Sequence, residues 1–211
     1  AEADFNAWYA EEHIHLLSQV PGWQACRRFS LVDSTTRGDS PPRYLALHAY
    51  THLEGFNTPE YKAATNTPWR TRVMDALQGA DTRLTLHKAL GPTISNPSFE
   101  SSQNPVYFVS VALSPAPNPE AEADLNAWYA EEHIHLLSQV PGWQACRRFS
   151  LVDSTTRGDS PPRYFALHAC THLEGLNTSQ YKTVTNTPWR TRVMGGIVAT
   201  ERYTYSLKAG S

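Results

Sequence analysis

The segment Trp8-Tyr9-Ala10-Glu11-Glu12-His13-Ile14-His15 brings two aromatic rings, two carboxylates and two imidazoles together, and it recurs unchanged at Trp128 to His135. Imidazole changes charge near neutrality, so His13 and His133 are the candidates to move a proton to or from a bound molecule. A carboxylate on an apolar helix face is costly unless it is paired. Arg27-Arg28 and Arg147-Arg148 follow on the next element. Adjacent strand residues point to opposite faces, so one arginine of each pair is expected to reach Glu12 or Glu132. A metal centre is not expected. His13 and His15 are two apart and fall on different helix faces, whereas ions are gripped by histidines four apart. His48 and His52 are four apart, but on a strand that spacing spans more than about 10 Å. The sequence has no phosphate-binding glycine loop, dinucleotide fingerprint, nucleophile elbow or Cys-x-x-Cys pair.

These residues need a helix and strands to position them. From about Asp4 to Val20, Phe5, Tyr9, Glu12, Leu16 and Val20 share one face at helical spacing, with His13 on its flank and Trp8 and His15 on the other flank. Pro21-Gly22 ends that helix. Trp23 to Asp33 reads as a strand, Ser34 to Pro42 as a loop, and Arg43 to His52 as a second strand. On the second strand Tyr44, Ala46, His48 and Tyr50 share a face, which would let His48 meet His13 across a pocket. Thr58-Pro59 and Thr67-Pro68 each pair a capping residue with proline at the first helical position, so the next helix is expected in two pieces. Thr82 to Ala89 closes the module as a strand. Trp69 and Trp8 are placed to stack on a planar ligand.

The whole arrangement occurs twice. Shifting the chain by 120 superposes residues 1–74 on 121–194 with eight differences: Phe5/Leu125, Leu45/Phe165, Tyr50/Cys170, Phe56/Leu176, Pro59/Ser179, Glu60/Gln180, Ala63/Thr183 and Ala64/Val184. Two copies are too few for a solenoid, so a closed two-module body is the expectation. Ahead of the second copy, Val106 to Leu113 (VYFVSVAL) reads as an extra strand, and Arg202 to Lys208 as the last one. The order strand–helix–strand–strand–helix–strand is the ferredoxin-like plan. The expected fold class is α+β. Two such modules stand in tandem at 1–91 and 105–211, joined by a linker at 92–104, and the first module lacks its first strand in this chain.

Composition narrows the partners. The net charge of −2, with 18 basic and 20 acidic residues unclustered, argues against nucleic acid or an anionic membrane as the partner. No apolar run reaches the roughly 20 residues that span a bilayer. Cys26, Cys146 and Cys170 are an odd set without close spacing, which reads as buried thiols in a reducing, cytoplasmic setting.

With this order of elements in hand, the Trp-Tyr-x-x-Glu-His pattern at Trp8 to His13, Pro21-Gly22-Trp23 and Arg27-Arg28, repeated at Trp128 to His133, Pro141 to Trp143 and Arg147-Arg148, resembles the dimeric α+β barrel superfamily. Within it the chain is most similar to the EthD-like branch and its fungal relatives. The resemblance implies two modules closing face to face into a barrel, here an intramolecular dimeric α+β barrel, an internal pseudo-dimer that can self-associate further. Members include polyketide cyclases, dehydratases, lactone isomerases and haem-degrading oxygenases. The family pattern often has proline two residues after the histidine, where this chain has His15 and His135.

The expected function is binding of a small apolar, aromatic molecule between the helices and sheet of each module. Tyr9, Glu12, Arg28, Tyr44, His48 and Trp69 would contact it in the first copy, and Tyr129, Glu132, Arg148, Tyr164, His168 and Trp189 in the second. His13 and His133 would supply the proton transfer of a cyclase, dehydratase or isomerase that uses no cofactor. A carrier or store of a pigment or metabolite, and a haem-binding protein, are the alternatives.

Overall fold

The computed structural model describes residues 2–35, 41–77, 83–96, 105–155 and 160–208. Each copy of the repeat opens on a helix with an unusual middle. In the first copy α1 (Glu2–Trp8) runs into a π-turn (Tyr9–His13) and continues as α2 (Ile14–Leu17). The Ile14 N–H reaches back five residues to the Tyr9 carbonyl. β1 (Trp23–Ser34), β2 (Tyr44–Tyr50), α3 (Pro59–Thr65), α4 (Pro68–Ala76), β3 (Thr85–Ala89) and β4 (Ile94–Ser95) follow. The second copy adds β5 (Tyr107–Pro115) in front and then repeats the plan. It comprises α5 (Pro119–Trp128), a π-turn (Tyr129–His133), α6 (Ile134–Leu137), β6 (Trp143–Ser154), β7 (Tyr164–Cys170), α7 (Ser179–Thr185), α8 (Pro188–Gly195) and β8 (Ile197–Leu207).

The local signals do their expected work. Thr58 and Thr67 cap α3 and α4 by accepting from the backbone N–H of Tyr61 and Arg70, each with proline in the first turn. Asn118 caps α5 by accepting from Ala121 N–H at 2.8 Å. The chain leaves α2 and α6 through Gly22 (φ +86°) and Gly142 (φ +83°), a left-handed turn that glycine adopts without steric cost.

The chain divides into two compact units. The first holds residues 1–30, 42–82 and 207–211. In it β1 and β2 pair antiparallel, with Cys26 opposite His48 and Arg28 opposite Ala46. Leu17, Val20 and Ala64 form its apolar cluster, with Leu16, Trp23, Tyr50 and Tyr61 packed around them. The second unit holds residues 31–41 and 83–206. Its antiparallel strands run in the order β8-β5-β7-β6-β3, with β4 also on β6. The first four of these are the ferredoxin-like module expected from the sequence. Its core is the larger one, built from Leu113, Leu125, Trp128, Tyr129, Ile134, Trp143, Cys146 and Cys170 among others.

One expectation is corrected. Of the segment 82–89, read as the strand that closes the first module, Thr85–Ala89 forms β3, and β3 pairs with β6 of the second copy. An alternating pattern fixes which face of a strand is buried, not which sheet edge it joins.

Candidate functional site

The π-turn decides what the first helix presents. In a regular α-helix Glu12 sits in the middle of the apolar face and His13 on its flank. The wider turn carries Glu12 off that face and brings His13 onto it, one residue in register beyond α-helical spacing. His13 therefore lies against Trp8, five residues earlier: the rings stack with centroids 4.2 Å apart and 27° between planes. Tyr9 meets the same imidazole edge-on at 4.8 Å. The second copy repeats both contacts, with Trp128–His133 at 4.1 Å and Tyr129–His133 at 5.0 Å.

Glu12 consequently does not pair with Arg27 or Arg28, contrary to expectation. It accepts from Trp8 Nε1–H at 3.1 Å and from the Thr67 hydroxyl at 2.5 Å, tying the helix to the cap of α4. Glu132 does the same with Trp128 and Thr187, at 3.1 and 2.6 Å. Arg28 instead donates to Asn6 Oδ1 at 2.7 Å and lies over the Tyr9 ring at 4.2 Å. Arg148 repeats this with Asn126 at 2.8 Å and Tyr129 at 4.1 Å.

β2 completes the group. His48 faces His13 with ring centroids 5.8 Å apart, and Cys26 Sγ lies 3.8 Å from His48 Nε2. In the second copy His133 and His168 are 6.2 Å apart, and Cys146 Sγ is 4.0 Å from His168 Nε2. The Nδ1 atoms of His13, His48 and His133 are buried without a hydrogen-bond partner. His168 Nδ1 differs, because Trp143 Nε1–H donates to it at 3.3 Å, while the equivalent Trp23 Nε1 is buried and unpartnered.

Burial sets the charge state. It pushes His13 down to about 3, with His48, Arg70 and Arg28 adding to the effect, and it pushes His48 down to about 4. His133 falls well below the ordinary imidazole range, again through burial with His168 and Arg190 beside it, and His168 falls to about 4. Tyr9 is pushed up to about 12 and the Cys26 thiol to about 11, both chiefly by burial. The histidines, tyrosine and thiol of the first site are therefore all neutral at neutral pH, and Arg28 is the cation beside them. Such a group can donate and accept hydrogen bonds and can take a proton from an acidic ligand. It holds neither a resting imidazolium nor a thiolate nucleophile. Among the described residues no three His, Cys, Asp or Glu side chains are arranged to hold a metal ion. Nor is any helix among them long and apolar enough to cross a membrane.

The other sequence candidates lie apart from the imidazoles. The Tyr44 hydroxyl donates to the Glu2 carboxylate, and its ring stacks on Phe5 at 5.7 Å. The Tyr164 hydroxyl donates to Glu122. Trp69 Nε1–H donates to Asp4 at 2.9 Å while Arg72 covers its ring at 5.7 Å, and Trp189 does so with Asp124 and Arg192 at 2.8 and 5.6 Å. Trp189 and Glu132, with Pro188 and Arg192, line an open surface depression. Asn6, Cys26 and Trp143 are not among the sequence candidates. The stacking of Trp8 on His13 escapes a 3.6-residue period, because only the π-turn makes the two neighbours. Cys26 is legible only once the register of β1 and β2 is known.

No protein-family model matches the sequence. No curated protein matches it either. Among solved structures the chain is similar to an anthrone oxidase-like protein, at 16% identity and a TM-score of 0.67, over 98% of this chain and 86% of that one. It also aligns with a candidate monooxygenase from Lactobacillus acidophilus NCFM (12% identity, TM-score 0.48, 98% and 89% covered). A second, from Fusobacterium nucleatum, aligns at 9% identity and a TM-score of 0.49, with 93% and 82% covered. The likeness to the anthrone oxidase-like protein shows that the chain shares the α+β fold of that protein, written here as two copies of one repeat.

Proposed function

We propose that each copy of the repeat binds a small planar hydroxyaromatic molecule, of the anthrone class, against the aromatic and imidazole rings carried by the π-turn. The observation that carries this reading is the set of buried, unpartnered imidazole nitrogens facing aromatic surface. A buried polar atom left without a hydrogen bond costs about 1–3 kcal/mol. His13 Nδ1, His48 Nδ1 and His133 Nδ1 are three such atoms, and a ligand hydroxyl or carbonyl would satisfy them. The rings of Trp8, Tyr9 and His13 offer the flat partner surface. The likeness to an anthrone oxidase-like protein supports the ligand class. The short Trp-Tyr-x-x-Glu-His motif supports a place in the EthD-like branch.

The chemistry we assign is proton transfer. A neutral imidazole accepts the ligand's acidic proton, and the resulting anion and imidazolium stabilise one another beside Arg28 or Arg148. Pairing with that anion offsets the burial that otherwise holds the imidazole neutral. No cofactor enters this step. Titrating a dihydroxyanthrone into the protein should quench tryptophan emission saturably, since Trp8 and Trp128 stack on the histidines concerned. Replacing His13 and His133 together by alanine should weaken binding at least about tenfold and remove turnover. Unchanged turnover in the double variant would sink the catalytic reading.

A non-catalytic carrier is the second reading. Tyr129 and His168 are each 3% exposed, so a ligand in the second copy would be enclosed. Native mass spectrometry and an absorbance spectrum of the purified protein test it. A retained chromophore supports the carrier, and a colourless protein of the mass of the bare chain opposes it.

A further inference from the structure

The two copies are nearly identical in sequence, yet their third strands are not equally covered. β7 lies between β6 and β5, and seven register pairs, from Tyr107↔Cys170 to Leu113↔Tyr164, line its β5 side. β2, its counterpart, pairs with β1 and is an edge strand: among the described residues nothing pairs along its other side. Five of the seven residues of β2 and β7 are the same, so the edges present the same backbone and nearly the same side chains.

The surrounding side chains register the difference. Tyr129, Ile134, Trp143, Ala166 and His168 are buried, whereas Tyr9, Ile14, Trp23, Ala46 and His48 are only partly so. In the second unit Leu113 is part of the core that holds Leu125, Tyr129 and Ile134, and Tyr107 and Val111 pack against it. Among the described residues the first unit has the same helix without that cover. The Trp143–His168 hydrogen bond has no counterpart either, since Trp23 Nε1 and His48 Nδ1 are both unpartnered.

We propose that the outer edge of β2 is a binding site for an extended peptide strand, uncharged and apolar at alternate positions as β5 is, which adds antiparallel to Tyr44–Tyr50 and completes the first unit's core. Main-chain hydrogen bonds to the edge supply the affinity, and alternate side chains fitting over the helix supply the selectivity. β5 shows the occupant's chemistry: tyrosine, valine and leucine at the positions that face the helix, and no charge from Tyr107 to Pro115. An unprotected edge of this kind is otherwise an invitation to self-pairing.

The test uses the whole chain and a synthetic peptide of residues 106–114 (VYFVSVALS) flanked by lysines, with no aromatic ligand present, so its outcome is independent of the proposed function. Native mass spectrometry should show one peptide per chain, and amide exchange across β2 should slow by about tenfold while β7 is unchanged. Two peptides N-methylated at alternate residues separate strand pairing from apolar adhesion. A strand offers its amides to one edge at every second position, so one phase should abolish binding and the other retain it. The proposal is overturned by equal binding of both methylated peptides, or by protection outside β2. It is overturned equally if the chain alone runs as a dimer with its β2 amides already protected, which would assign the edge to a second copy.

Discussion

At the residue scale the site is defined by groups that burial holds neutral, and this has a measurable sign. His13 and His48 titrate near 3 and 4 in the folded protein, against about 6.5 in an unfolded chain. Their folded values are depressed, so below pH 6.5 the unfolded state binds more protons than the folded one. The stability they contribute is complete above that pH and falls as the pH drops toward the folded values. Each such histidine removes up to about 1.4 kcal/mol per pH unit in that window. Urea unfolding at pH 7 and pH 5.5 should therefore show a loss of a few kcal/mol. The double variant His48→Gln, His168→Gln should flatten the dependence, and an unchanged slope would contradict the burial argument. The same residues show how far sequence reading reaches. His13 and His48 were legible from residue type and strand alternation, and their rings do face each other at 5.8 Å. Glu12 meets Trp8 and Thr67 and not an arginine, because helical phase is not uniform across the π-turn.

At the element scale the π-turn is the device that sets the site. It inserts one residue into the helix, and α-helical hydrogen bonding resumes on either side. Inserting one further alanine beside Ala10 and beside Ala130 should rotate His13 and His133 by about 100° relative to the residues before the turn. We expect far-ultraviolet circular dichroism to be preserved and the near-ultraviolet signal of the Trp–His stacks to be lost together with aromatic ligand binding. Retained binding would show that the turn is incidental. A second element-scale constraint is the contact between the Pro141-Gly142 turn and Gly175. A Cβ on Gly175 would fall on the Pro141 carbonyl oxygen, which is backbone and cannot swing aside. Gly175→Ala should cost at least about 2 kcal/mol, read as a lower urea midpoint with unchanged slope. Neither constraint is visible in composition or periodicity. The Thr58, Thr67 and Asn118 caps are, because a cap is a contact between near neighbours in the chain.

At the scale of the whole molecule, the repeat supplies its own control. Residues 14–17 and 134–137 read Ile-His-Leu-Leu in both copies and follow the same segment, so their intrinsic amide exchange rates are matched. Ile134 is 3% exposed in the larger core, whereas Ile14 is only partly buried. Amides of 14–17 should exchange faster than those of 134–137, and equal rates would mean that the two units are equally stable. The sequence alone determined the duplication, the α+β class, the order of elements and the capped helix starts, because these rest on local periodicity, turn residues and identity between copies. Tertiary structure alone decided that β3 joins β6 and that, among the described residues, β2 is an edge while β7 is not. It also decided that two near-identical constellations of Trp, Tyr, His and Cys sit in unequal surroundings. The physical reason is common to all three. Which strand pairs with which edge is settled by backbone hydrogen bonds between segments far apart in the chain, and a residue's own neighbours in sequence carry no record of them.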